Sequence, residues 1–374
     1  MHNLFFELLQ ISVGTREGLS FVPTERDWNE SFEMAKRQAL LGICFYGLQK
    51  AHSQDASKTA NLPKGLKMQW LSIAANIQKR NELMNSRCAE LYRMIKASGY
   101  ESCVLKGQAV ARLYEKDCRD EGLGNLGLLR QSGDIDMWMV AEVDTVIKWA
   151  ERSHTMYYYD YHHADLRLFK DVDVELHYRP SISRNLVRNA RLQEWFEGEG
   201  RRHIVFDEKC GFCVPDAVFA LVLTLNHNLW HLLYEGVGLR QMMDLYFVAK
   251  SMGKSEEIDD LLRRFGLSRF AAASAWVLWY LFDGCSEHSF FVSEDSPLPQ
   301  PDDQGGGFLL GEIMLAGNFG HYDSRLSVDK SGNRVVLMAK WMKHTFRLVK
   351  YYPVDVLWTP LGVLRISLWR RLRK

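Results

Sequence analysis

The stretch Ser132-Gly133-Asp134-Ile135-Asp136 places two carboxylates one residue apart. On a β-strand alternate residues share a face, so Asp134 and Asp136 would stand side by side with Ile135 buried behind them. Adjacent carboxylates repel unless a cation lies between them. Hard oxygen donors suit Mg²⁺ or Mn²⁺, which take phosphate oxygens as further ligands. The plainer alternative is an exposed strand start carrying two solvated acids. Val174-Glu175-Leu176-His177 repeats the alternation and puts Glu175 and His177 on one face. If the two strands are neighbours, Glu175 completes an acidic triad able to hold two metal ions. Asp173, two residues before Glu175, competes for that third place. Upstream, Val104-Leu105-Lys106-Gly107 ends an apolar run and opens a helix. A helix start offers backbone N–H groups to phosphate, and Lys106 would add a point charge. An ordinary strand-to-helix turn with a surface lysine is the alternative.

Other constellations carry less. Cys210 and Cys213 form a lone C-x-x-C. A structural zinc site needs a second pair, and a redox pair needs a helix start after a strand. His227 and His231 lie four apart on one helix face, a spacing that binds a metal or ties two helices together. Arg240 and Asp244 fit an i,i+4 helix ion pair. His162-His163 precedes a strand and is a candidate for the cleft, as is Tyr157-Tyr158-Tyr159 for a nucleotide or acceptor surface.

The elements that must position these residues follow from periodicity. Trp28, Phe32, Ala35 and Ala39 mark a helix opening near Asp27, and a long helix is expected over 66–98, ended by Gly99. Residues 101–105 and 134–140 read as strands, 115–132 as a Gly-rich charged loop and 141–150 as a helix. Strand-like runs at 156–161, 164–170 and 171–177 complete a small mixed sheet. Helices are expected over 216–234, 239–251, 258–265, 268–282, 333–352 and 361–374. Residues 283–307, with three consecutive glycines, read as a loop or lid. No internal repeat is evident.

The chain has 374 residues, 47% hydrophobic and 25% charged, a globular balance that argues against wholesale disorder. Forty-seven basic residues against 46 acidic leave a net charge of +1, so no global field points to a long nucleic acid. The end Trp369-Arg370-Arg371-Leu372-Arg373-Lys374 is a local basic candidate. No apolar stretch reaches membrane-spanning length. Met1–Gln10 lacks a basic start and a cleavage site, and seven irregularly spaced cysteines fit a reduced compartment, so a cytoplasmic location is expected.

Taken in order, Leu105-Lys106-Gly107-x-Ala109, Arg130-x-Ser132-Gly133-Asp134-Ile135-Asp136 and Val174-Glu175-Leu176-His177-Tyr178 resemble the motifs of an uncharacterised bacterial nucleotidyltransferase family in the DNA polymerase beta-like superfamily. The resemblance is firmest over about residues 100–180. It implies an α+β fold in which a small mixed-sheet core over 99–212 is flanked by helical segments 1–98 and 213–374. It implies an enzyme that uses NTP and Mg²⁺ or Mn²⁺ to move a nucleoside monophosphate to an acceptor hydroxyl on a small molecule, protein side chain or RNA end. Asp134, Asp136 and Glu175 take the place of the metal ligands, and Lys106, Gly107, Ser132 and Gly133 lie near the triphosphate. Two rivals stand beside it: a non-catalytic nucleotide-binding regulatory or toxin–antitoxin module, and a metal hydrolase built on His227, His231 and the carboxylates. The cleft is expected between residues 100–180 and the helices of 215–250, because those helices carry His227, Asn228, His231, Arg240 and Asp244 on otherwise apolar surfaces.

Overall fold

The computed structural model describes residues 3–115, 124–323, 325 and 334–373. Four helices come first: α1 (Leu4–Val13), α2 (Glu25–Arg37), α3 (Leu41–Gln54) and the 34-residue α4 (Lys64–Ala97). Thr24 and Asp27 cap each other's backbone at the start of α2, and the apolar stripe of Trp28, Phe32 and Ala35 is buried. Part of the expected loop 115–132 lies outside the described residues. Leu126–Leu129 within it form a 3-10 turn.

A five-stranded sheet follows, built from β1 (Ser102–Val104), β2 (Ile135–Met139), β3 (Met156–Tyr159), β4 (His163–Leu166) and β5 (Val174–His177). The order across the sheet is β1-β2-β5-β4-β3, with β2 and β5 parallel and every other pair antiparallel. Helix α5 (Gln108–Ala111) lies between β1 and β2, and α6 (Val143–Arg152) between β2 and β3. The period-2 pattern divides the sheet's chemistry. Ile135, Met137, Val174, Leu176, Ala164 and Leu166 form a core with Met84, Cys88 and Leu91 of α4 and with Val146 and Ala150 of α6. The residues between them point to the other face and carry the polar groups. The fold is thus α+β, a mixed sheet with helices before and after it.

Beyond the sheet come α7 (Leu186–Glu197), the hairpin of β6 (Ile204–Asp207) and β7 (Phe212–Pro215), and the helices α8 (Ala217–Tyr234), α9 (Leu239–Lys250), α10 (Glu256–Phe265) and α11 (Ser268–Leu281). The chain ends with α12 (Asp303–Ala316), α13 (Arg334–Val349) and α14 (Pro353–Leu372). The larger core draws on both ends of the chain, uniting Leu8, Leu9, Phe45 and Tyr46 with Leu245, Tyr246, Phe247 and Phe282. Inside it, Gln10 donates its side-chain amide to the Leu281 carbonyl at 2.9 Å.

Two expectations are corrected here. Residues 283–307 are not wholly a loop, because α12 begins at Asp303 and runs through Gly305-Gly306-Gly307. A Cβ on Gly306 would lie 2.5 Å from the Cβ of Trp276, so the glycines allow α12 to pack closely on α11. Helix α14 starts at Pro353 rather than near 361 and carries Pro360 inside it. Proline suits a first helical turn, and Pro360 forgoes one backbone donor. At the basic end Trp369 packs edge-on against Tyr161 with ring centroids 5.5 Å apart, Arg370 donates to the Tyr158 hydroxyl at 2.8 Å and Arg373 pairs with Asp144, while Arg371 is exposed. The expected helix start at Asn333 falls outside the described residues.

Candidate active site

The polar face of the sheet is assembled by register. Asp136 on β2 stands opposite Glu175 on β5, and Glu175 opposite Asp165 on β4; His177 is likewise opposite His163. Residues directly paired across strands share a face, so five positions on three strands converge. Asp134 lies one residue before β2, at the exposed mouth of the same face.

This face forms one wall of a cavity of about 430 Å³. Lys106, Asp134, Asp136, Glu175 and His177 line that wall, together with Gly107 and Gly133. The facing wall comes from α8 and α9 through His227, Asn228, His231, Arg240 and Asp244. All five polar residues picked out on those helices therefore face the cavity. His162, His163 and Tyr158 also line it. Ser132 is not among the lining residues, and its hydroxyl is buried without a hydrogen-bond partner. Gly107 adopts φ +57 at the start of α5, in the left-handed region that suits glycine.

Asp136 is held between two cations. Lys106 Nζ lies 2.8 Å from its Oδ1 and His177 Nε2 lies 3.1 Å from the same atom. Burial disfavours the charge on Asp136, yet Lys106 and His177 outweigh it and hold the carboxyl well below its usual range. Burial likewise works against Lys106, but Asp136 and Glu175 prevail and raise its pKa. For His177, burial is outweighed by hydrogen bonds to Asp136 and Glu175, which raise the imidazole to about 9. Glu175 Oε2 lies 3.3 Å from His177 Nε2. That contact, with His163 nearby, overcomes burial and holds Glu175 at about 2. Asp134 has no such partner: partial enclosure at the cleft mouth, then the negative charges of Asp136 and Glu175, raise it to about 7. An acidic centre that must recruit two internal cations, and still drives a third carboxyl upward, has the electrostatics of a cation-binding site.

Several supports were not evident in the sequence. Arg130 forms a bidentate pair with Asp244, at 2.6 and 2.7 Å, and the Tyr114 hydroxyl donates to the same carboxylate at 2.7 Å. The i,i+4 pairing of Arg240 with Asp244 is thereby corrected: the buried guanidinium fork of Arg130 takes Asp244, while Arg240 donates to the Gln131 carbonyl at 2.8 Å. This pair joins the strand-leading segment 130–136 to α9, across the cavity floor. Asp165 was also missed, although His163-Ala164-Asp165 repeats the alternation that marked the other two strands.

The weaker motifs fall elsewhere. His227 and His231 meet through their Nε2 atoms at 2.8 Å, and His231 Nδ1 lies 2.8 Å from Glu235. Burial, followed by the nearby Lys106 and His231, depresses the His227 pKa well below the ordinary histidine value. Among the described residues, the metal-compatible groups are instead drawn from Asp136, His162, His163, Asp165, Glu175 and His177. Cys210 lies in the turn between β6 and β7, and Cys213 on β7 sits 3.5 Å from the Tyr92 hydroxyl; neither thiol is bridged.

A family model described as an uncharacterised nucleotidyltransferase matches residues 24–283. No curated protein and no solved structure matches the chain. The matched span runs from α2 through α11 and takes in all five strands of the sheet together with α8 and α9. The chain belongs to this family of uncharacterised nucleotidyltransferases.

Proposed function

We propose that the protein transfers a nucleoside monophosphate from an NTP to an acceptor hydroxyl and releases pyrophosphate, using Mg²⁺ or Mn²⁺ held by Asp134, Asp136 and Glu175. The observation that carries this reading is the in-register pair of Asp136 and Glu175 on parallel strands, with Asp134 beside them at the mouth of one cavity. Three carboxylates so arranged fit a hard divalent cation, which supplies charge stabilisation to phosphoryl transfer. Lys106 offers its ammonium to the triphosphate, exchanging part of its contact with Asp136. Gly107 and Gly133 leave room for phosphate oxygens, and the unpartnered hydroxyl of Ser132 is a donor close to them. His231 and Arg240, on the opposite wall, face the acceptor side and exclude water from it.

The sequence order of the three motifs supports placement in the DNA polymerase beta-like superfamily. A cytoplasmic location belongs to the same reading; no helix among the described residues is long and apolar enough to cross a membrane. The test is pyrophosphate release from each of the four NTPs with Mg²⁺ or Mn²⁺ and a cell extract as acceptor source. Turnover that vanishes in Asp136→Asn, with the circular dichroism spectrum retained, supports the proposal. Undiminished turnover in that variant rejects the metal set.

A further inference from the structure

The proposed transfer site accounts for Asp134, Asp136 and Glu175 but leaves a cluster of three histidines beside it unexplained. His162 Nε2 and His163 Nδ1 lie 2.9 Å apart. The ligating atoms of His162, His163 and His177 all fall within 4.8 Å of one another. Glu175 Oε2 is 3.7 Å from His163 Nδ1 and 3.3 Å from His177 Nε2.

What each ring does with its other nitrogen is the second observation. His162 Nδ1 lies 2.9 Å from Asp160 Oδ1, and His163 Nε2 lies 3.0 Å from Asp165 Oδ1. His177 Nδ1 lies 3.3 Å from the Arg179 carbonyl. Of these contacts only that of His177 Nδ1 with the Arg179 carbonyl has hydrogen-bond geometry, so that outer nitrogen carries hydrogen, while His162 Nδ1 is buried without a hydrogen-bond partner. The inner nitrogens of His162 and His163 face each other at hydrogen-bond distance. A cation between them is ligated by both. Outer nitrogens tied to carboxylates or backbone carbonyls are also the usual support of metal-bound histidines, because they fix tautomer and ring orientation.

We propose that His162, His163 and His177, with Glu175 as fourth ligand, form a site for a borderline transition cation of the Zn²⁺ class. Imidazole nitrogen selects such an ion over Mg²⁺, and three histidines with one carboxylate fill a tetrahedral shell. The site shares Glu175 with the proposed Mg²⁺ set but does not depend on the transfer reaction.

The experiment titrates Zn²⁺ alone into chelator-treated full-length protein, using a chromophoric competitor to read affinity. One Zn²⁺ per chain is expected. His163→Gln should weaken it at least 100-fold, while Asp134→Asn, which removes a carboxylate of the transfer set only, should stay within a few-fold of wild type. Asp160→Asn keeps all three rings and should weaken binding about 10-fold; it carries the test if His163→Gln fails to fold. A wild type that takes no Zn²⁺, or a folded His163→Gln or Asp160→Asn with wild-type affinity, overturns the proposal. Pyrophosphate release measured in Mg²⁺ with the same variants separates failure of this site from failure of the transfer reading.

Discussion

Asp136 is the residue on which the charges of the cleft balance. Its two partners differ in kind: Lys106 reaches it from the turn after β1, while His177 comes from the neighbouring strand β5. Removing the lysine leaves the histidine in place, so the buried carboxylate keeps one counter-charge. Lys106→Ala is therefore expected to weaken nucleotide binding at least 10-fold while lowering the melting temperature by only a few degrees. Calorimetric titration and thermal denaturation of the same variant check this; equal nucleotide affinity in variant and parent would count against a phosphate-facing role. At this scale the sequence was informative wherever strand alternation carried the signal. Asp134, Asp136, Glu175, Lys106 and Gly107 were all named from spacing, and all line one cavity wall. Asp165 lay within the expected strand 164–170, but its pairing with Glu175 is a cross-strand register that periodicity within one strand does not reveal. The partner of Asp244 was illegible for a different reason: Arg130 is 114 residues away, and a local i,i+4 neighbour was the only partner that spacing offers.

At the scale of elements, the segment 130–136 and helix α9 are joined mainly through Arg130 and Asp244. Both charges are buried, and burial works against the guanidinium until Asp244 offsets it. Arg130→Met leaves Asp244 with only the Tyr114 hydroxyl among its direct partners named above. Stranding one member of a buried pair costs about 3–5 kcal/mol. Urea unfolding of Arg130→Met should show a loss of that order, and a loss below about 1 kcal/mol would mean the pair is not what ties the floor together. Most elements were readable from periodicity, including the 34-residue α4 and all five strands. Helix α7 and the β6–β7 hairpin were not anticipated, and two further exceptions share a cause. Gly305-Gly306-Gly307 and Pro360 are residues that usually interrupt helices, but their local cost is outweighed by tertiary packing. In α12 the glycines admit the Trp276 side chain, and in α14 Gly362 is buried where a Cβ would lie 2.4 Å from the Arg184 carbonyl oxygen.

Across the whole molecule, the cavity is closed by parts of the chain that belong to different cores. The sheet wall rests on α4 and α6, while α8 and α9 belong to the core shared by both chain ends. A ligand that touches both walls must therefore stabilise their union. A non-hydrolysable NTP with Mg²⁺ is expected to raise the melting temperature by several degrees, and the nucleotide without a divalent cation by much less. At 100-fold excess over Kd such binding adds about 2.7 kcal/mol to the folded state. Scanning calorimetry with and without chelator checks this, and equal shifts in both conditions would remove the cation from nucleotide binding. The Arg130–Asp244 pair also has a meaning in time. A ribosome that has delivered Arg130 must add 114 residues before Asp244 exists. At synthesis rates of about 5–20 residues per second, that is a delay of roughly 6–23 s. Within that interval the carboxylates of β2 and β5 are made before α8 and α9, so they precede their opposite wall. The last strut of the cleft is thus a checkpoint of manufacture: the cavity has both its walls only once most of the chain has been made.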